Sequence, residues 1–206
     1  MLVPADRWER WTSNFGDRHG GSVLEVRGGA LAGRGEDGST FEARLPFAAS
    51  YDGPPEAAAC ADAARAAVPA DWGLLIVRKG GFAVARLSGA RMVESKVGRR
   101  HVQGRTKAGG QSQQRFARRR ANQARVAYEA AADHAARLLA GLDGPLVGGG
   151  DRSGLGETLG DPRLRGLTLL HEVLDVPEPR RDTLERAVLD ACALRVDVVN
   201  VPPVVE

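Results

Sequence analysis

Gly109, Gly110 and Gln111 sit in the stretch of this chain where backbone freedom, hydrogen-bond donors and positive charge coincide. Residues 104–120 read GRTKAGGQSQQRFARRR. Paired glycines reach φ/ψ values closed to other residues and let a backbone approach a ligand closely. Gln111 adds a backbone N–H and a neutral amide that both donates and accepts. Ser112 is of the type that caps a following helix, and a helix N-terminus adds free N–H groups with partial positive charge. The segment offers donors, but no metal-ligand set, no carboxylate base and no strong nucleophile. That inventory suits ordering a water molecule and stabilising an oxyanion, the needs of ester hydrolysis. It does not suit a covalent mechanism.

Charge is concentrated at the same place. Ten of the chain's 29 lysines and arginines fall between Lys96 and Arg125, and none of its 26 carboxylates does. The rest of the chain is therefore net acidic, although the whole carries +3. A solvated helix face interleaves both signs; a one-sign cluster of this kind attracts polyanions, of which phosphate backbones are the commonest. Arg105, Lys107, Arg115, Arg118, Arg119 and Arg120 are the candidates for holding them.

The pattern Gly109-Gly110-Gln111-Ser112, then Arg115-Phe116-Ala117-Arg118 and Arg120, resembles the catalytic loop of the middle domain of eukaryotic and archaeal class-one peptide release factors. Leu87-Ser88-Gly89 upstream, followed by a strand and a basic run, resembles that domain as well. The similarity runs from about Trp72 to Leu139. A bare Gly-Gly-Gln is a weak signal; the further positions in register make it specific. Nothing in the chain reads as a stop-codon-reading domain or as a domain that recruits a GTPase. The chain accordingly resembles the Vms-like release factor family of ribosome-associated quality control. The Ala-, Arg- and Gly-rich composition would suit a bacterium with a GC-rich genome, as in the actinobacterial branch of that family. The resemblance implies a codon-independent release factor that hydrolyses peptidyl-tRNA on stalled large ribosomal subunits. Gln111 would stand beside the ester at the CCA end, its N–H stabilising the oxyanion and its side chain ordering the water, while Gly109 and Gly110 permit the backbone shape. The arginines and Lys107 would hold ribosomal RNA or tRNA. No cofactor and no metal are implied, and a monomer is expected.

The elements that must position this segment follow from periodicity. A short helix is expected over 5–15, with Trp8, Trp11 and Phe15 on one face as packing residues. Ser22–Arg27 and 40–45 read as a hairpin joined by a Gly-rich connection, and Pro54 and Pro55 open an Ala-rich helix to about Val68. Trp72–Arg78, 82–87 and 91–96 read as an antiparallel meander. An exposed, mobile loop is expected over 98–114, then a long helix over 113–139. Ala117, Ala121, Ala124, Tyr128, Ala131, Ala135 and Leu138 form its apolar stripe, small enough to pack close to a sheet. Strands at 145–147, 173–176 and 196–201 alternate with helices at 148–161 and 182–194, which suggests parallel pairing. The fold class is α/β: a mixed β-sheet flanked by helices, of the release-factor middle-domain (RNase H-like) type that the resemblance implies, with an N-terminal helix and hairpin extension. Residues 1–50 read as that elaboration, packed on a catalytic domain over 51–206 with its loop at 104–114.

Other features read as structural. Gly148-Gly149-Gly150 lacks the Lys-Ser/Thr of a nucleotide loop and is expected to form a turn. Cys60 and Cys192 are expected to be free thiols of a reducing compartment. His19, His134 and His171 read as structural, whereas His101 lies in the basic run. The N-terminus lacks a signal-peptide pattern and no apolar run could span a bilayer, so the expected location is cytoplasmic, with no membrane partner. Two other functions stay open on sequence: an endonuclease cutting the tRNA near its CCA end, and a ribosome- or RNA-binding module without turnover.

Overall fold

The computed structural model describes residues 1–99 and 111–202; along 111–123 the description is of the backbone. In chain order the elements are β1 (Leu2–Val3), α1 (Ala5–Arg18), β2 (Ser22–Arg27), β3 (Ala30–Gly35), β4 (Thr40–Arg44), α2 (Ala57–Ala66), β5 (Trp72–Arg78), β6 (Gly81–Ser88) and β7 (Arg91–Arg99). There follow α3 (Gln111–Leu138), β8 (Leu146–Gly150), α4 (Arg152–Leu159), β9 (Leu169–Leu174), α5 (Arg181–Ala191) and β10 (Leu194–Val199). The mixed α/β class is as expected. It is built, however, from two five-stranded sheets, in two compact units comprising Met1–Val68 with Leu189–Glu206 and Pro69–Val188.

The first unit carries the sheet β1-β10-β4-β3-β2, antiparallel throughout. Trp8, Thr12 and Phe15, one helical turn apart, are the buried face of α1. Phe41 meets Trp8, Trp11 and Phe15 edge-on at centroid distances of 5.6, 5.1 and 4.9 Å, so both tryptophans are packing residues. Cys60, Ala61 and Ala64 bring α2 into the same core. Because α2 shares this core, the first unit runs on to Val68.

Two expectations fail here. The Gly-rich connection before 40 is a strand, β3. Gly28 and Gly29, both at positive φ (57° and 76°), make the two-residue turn that starts it. Gly33 lies opposite Phe41, whose ring a Cβ would meet at 2.2 Å. The glycine that disguises the strand is what lets the aromatic lie across it. The last strand, β10, is also not parallel. It leaves the βα alternation and pairs antiparallel with β1 and β4.

The second unit carries β7-β6-β5-β8-β9. β5, β6 and β7 form the expected meander, and β8 and β9 add to it in parallel. Trp72 to Val77 on β5 are all buried, the near-continuous apolar run of a central strand covered on both faces. Ala124, Tyr128, Ala131, Ala135 and Leu138 of α3 pack over Leu75, Val77, Phe82 and Val84, as the stripe predicts. Ala117 and Ala121 lie where only backbone is described.

The glycines of β8 serve packing. A Cβ at Gly148 would meet Leu155 and Leu169 at 3.1 Å, one at Gly149 would meet Ile76 at 3.0 Å, and one at Gly150, whose φ is +89°, would meet the Val77 carbonyl oxygen at 2.4 Å. Asp151 then caps α4, accepting from the Ser153 N–H at 3.1 Å.

Candidate active site at the head of the long helix

Strand register places the loop. Val77 pairs with Gly150, Gly149 with Leu174, and Gly81 with Arg99. The C-terminal ends of β5, β7, β8 and β9 therefore lie at one end of the sheet. From that end β7 leads into residues 100–110, and α3 resumes the described chain at Gln111. The loop expected over 98–114 is thus shorter at both ends. Gly98 and Arg99 continue the strand, and 111–114 are already helical. Ser112 is inside the first turn rather than before it, since Gln111, Gln113 and Gln114 are good enough helix formers to extend the frame backward. Gly109, Gly110, Arg105, Lys107 and His101, and the mobility expected of the loop, lie outside the described residues.

Gln111 stands far from the sheet. A Cβ on Gly154 would meet Tyr128 Cε1 at 2.9 Å and Val77 Cγ1 at 3.0 Å, so Tyr128 is level with the end of β5. Gln111 precedes it by seventeen residues, about 25 Å along the axis at 1.5 Å per residue. The helix thus carries its first turn well beyond the sheet. The first N–H groups of a helix have no carbonyl four residues back within it, which makes a helix head a place for a ligand oxygen.

The stem of this projection is fastened on several sides. Phe82 stacks on His134 of α3 at 5.3 Å and covers Gly98 of β7. Arg137 of α3 donates to Glu94 of β7 at 2.9 Å. Arg163 joins Asp133 of α3 to Asp161, whose carboxyl it pulls down to about 2. At the far end of α3, Arg86 grips both oxygens of Asp71 at 2.9 and 2.8 Å and also donates to the carbonyl of Ala140 at 2.8 Å.

Electrostatically the head of α3 is unbalanced. Arg115, Arg118, Arg119, Arg120 and Arg125 precede its first carboxylate, Glu129. Arg115 stands at i, i+3 and i, i+4 from Arg118 and Arg119, where like charges cost roughly 0.2–0.5 kcal/mol per pair. Folding gains nothing from this arrangement; a polyanionic partner would.

Elsewhere the candidates are structural. His19 shares a 2.8 Å hydrogen bond with Asp37, and His171 is exposed on β9. Burial pushes the free thiols of Cys60 and Cys192 up to about 12 and 11, so neither is a poised nucleophile. Among the described residues no cluster of three or more His, Cys, Asp or Glu side chains could hold a metal, and no helix is long and apolar enough to cross a membrane.

The family model described as the Actinobacteria/chloroflexi VLRF1 release factor matches residues 70–197. The chain belongs to the VLRF1 release factor family. No curated protein matches it. The VLRF1 match takes in the whole second sheet, α3 and most of β10, and leaves β1 to β4, α1 and α2 outside. Membership brings a release-factor-like function, interaction with the ribosome and, at that coarse level, hydrolysis of peptidyl-tRNA. Sequence reading found the motif but gave no role to Lys79 or Arg152 and counted Arg99 only within the basic cluster. These stand at the sheet end from which the loop leaves, and only strand pairing brings them together.

Proposed function

We propose that the protein is a codon-independent release factor that frees stalled nascent chains by hydrolysing peptidyl-tRNA on large ribosomal subunits, acting as a cytoplasmic monomer without a cofactor. The observation that carries this reading is the Gly-Gly-Gln sequence at the head of a helix whose first turn stands about 20 Å beyond Ala124, the residue nearest that head whose side chain is described as packed on the sheet. A tip so carried suits entry into a deep, RNA-walled centre. There the Gln111 N–H stabilises the oxyanion as water attacks the ester carbonyl, and its side-chain amide orients that water. Gly109 and Gly110 let the backbone come close. Arg105, Lys107, Arg115, Arg118, Arg119 and Arg120 bind the phosphates of ribosomal RNA and tRNA. The attacking water supplies the hydroxyl of the new peptide carboxylate, and the tRNA leaves with its 3′ hydroxyl restored.

The test is single-turnover release of labelled peptide from peptidyl-tRNA on isolated large subunits, with no messenger present. Wild type is expected to release the chain and leave an intact CCA end. Gln111→Ala is expected to bind equally and release at least a hundredfold more slowly, the typical loss when one oxyanion donor or positioning group is removed. Nucleotides left on the released peptide would identify an endonuclease instead. Binding without release by wild type would identify a non-catalytic module, and full activity in Gln111→Ala would overturn the role given to the Gln111 side chain.

A further inference from the structure

Beyond the helix head, a second group of cations lies at the same end of the second sheet. Lys79 is in the turn between β5 and β6, Arg99 ends β7, and Arg152 opens α4 immediately after β8. All three are exposed, and none has an ion-pair partner among the described residues. Register holds them to one rim, since Gly81 pairs with Arg99 and Val77 with Gly150. Three strand spacings separate β7 from β8, so the rim spans roughly 15 Å.

The neighbouring carboxylates are engaged. Asp151 accepts from the Ser153 N–H, Asp175 pairs with Arg78 at 3.2 Å, and Glu178 pairs with Arg180. With Asp175 and Glu178 paired to other arginines, Asp151 alone offsets the three cations, and the rim stays net positive. Arg99 and Arg152 also fall on different sides of the sheet. Gly98 lies under Phe82 on the α3 face, so Arg99, one residue on, points to the other face, whereas Leu155 places α4 on the α3 face. Cations on both sides of one rim suit an extended phosphate backbone crossing it rather than a single small anion.

We propose that Lys79, Arg99 and Arg152 form a second RNA-backbone contact, set about 25 Å behind Gln111 along the helix axis. It engages ribosomal RNA at the rim of the cavity that the head of α3 enters. This rests on the ribosomal reading above for the identity of the RNA, but not for the contact itself.

The experiment measures the salt dependence of the dissociation constant for two probes, isolated large subunits and poly(U). It compares wild type with the triple variant Lys79→Gln, Arg99→Gln, Arg152→Gln. A control triple, Arg7→Gln, Arg10→Gln, Arg18→Gln on exposed positions of α1, makes the same change in net charge. Each phosphate contact contributes about 0.7–0.9 to the slope of log K against log salt. The rim triple is expected to flatten the slope by roughly 2 for both probes, and the control to leave it unchanged. An unchanged slope in the rim triple, or equal flattening in the control, overturns the proposal. If wild type binds poly(U) with the rim-dependent slope yet does not bind large subunits, the rim stands as an RNA contact and the ribosomal reading fails.

Discussion

The ring of Phe82 lies so closely over Gly98, its direct cross-strand partner, that a Cβ there would sit 2.3 Å from Cε1. The other sheet repeats the relation with Phe41 and Gly33. A glycine within a strand is a weak point, and an aromatic laid across it restores the lost packing. At Gly98 the position also matters, because this is the last turn of pleat before the candidate catalytic loop. Gly98→Ala is expected to displace the ring and cost about 2 kcal/mol, as overpacking of a filled site does. In a Phe82→Leu background the same change is expected to cost less than half as much. Urea denaturation of the four proteins measures the coupling, and strict additivity would show that the two residues do not act as a pair.

The anchor at the other end of α3 makes an acid-sensitive prediction. The Arg86 guanidinium, bound to both carboxylate oxygens, holds the Asp71 carboxyl below the usual carboxylate range. A carboxyl depressed in the folded state contributes its full stability above its unfolded value, near 4. That contribution fades as pH falls through the folded value. Both side chains are about a third exposed, so screening leaves the pair about 1 kcal/mol. Asp71→Asn is expected to be destabilised by that amount at pH 7 and to converge on wild type below pH 4. Thermal midpoints across that range check it; a gap that stays constant into acid would remove the ion pair as its cause.

Much of the fold was legible because its signals are local. Ser22–Arg27 and Trp72–Arg78 are strands with the bounds read from sequence, and the small-residue stripe of α3 packs as its spacing requires. The candidate site was legible for the same reason, since Gly109 to Arg120 are contiguous. What stayed hidden depends on partners distant in sequence. β3 reads as a Gly-rich connection until Phe41 is known to cover Gly33. β10 reads as one more parallel strand until β4 is available to pair with it. The reach of Gln111 follows from knowing that Tyr128 is level with Val77, and the rim of Lys79, Arg99 and Arg152 from strand order. No spacing within the chain encodes either.

The head of α3 trades its own stability for charge, and this can be measured directly. Arg115 is three and four residues from Arg118 and Arg119, both helical spacings, and α3 has no carboxylate before Glu129. A glutamate at position 115 would turn both repulsions into attractions in the favourable order, acid N-terminal to base. Going from repulsion to attraction changes each pair by roughly 0.4–1 kcal/mol. Arg115→Glu is therefore expected to steady the first turns of the helix, seen as about four- to thirtyfold slower amide exchange of those turns. The same change removes one phosphate contact and adds a repulsion, so affinity for large subunits should fall at least tenfold at low salt. The two effects have opposite signs only if the cations are kept for a partner rather than for the fold. Slower exchange with unchanged affinity would mean that Arg115 does not touch RNA. Faster exchange would mean that the helix head depends on Arg115 for its own stability.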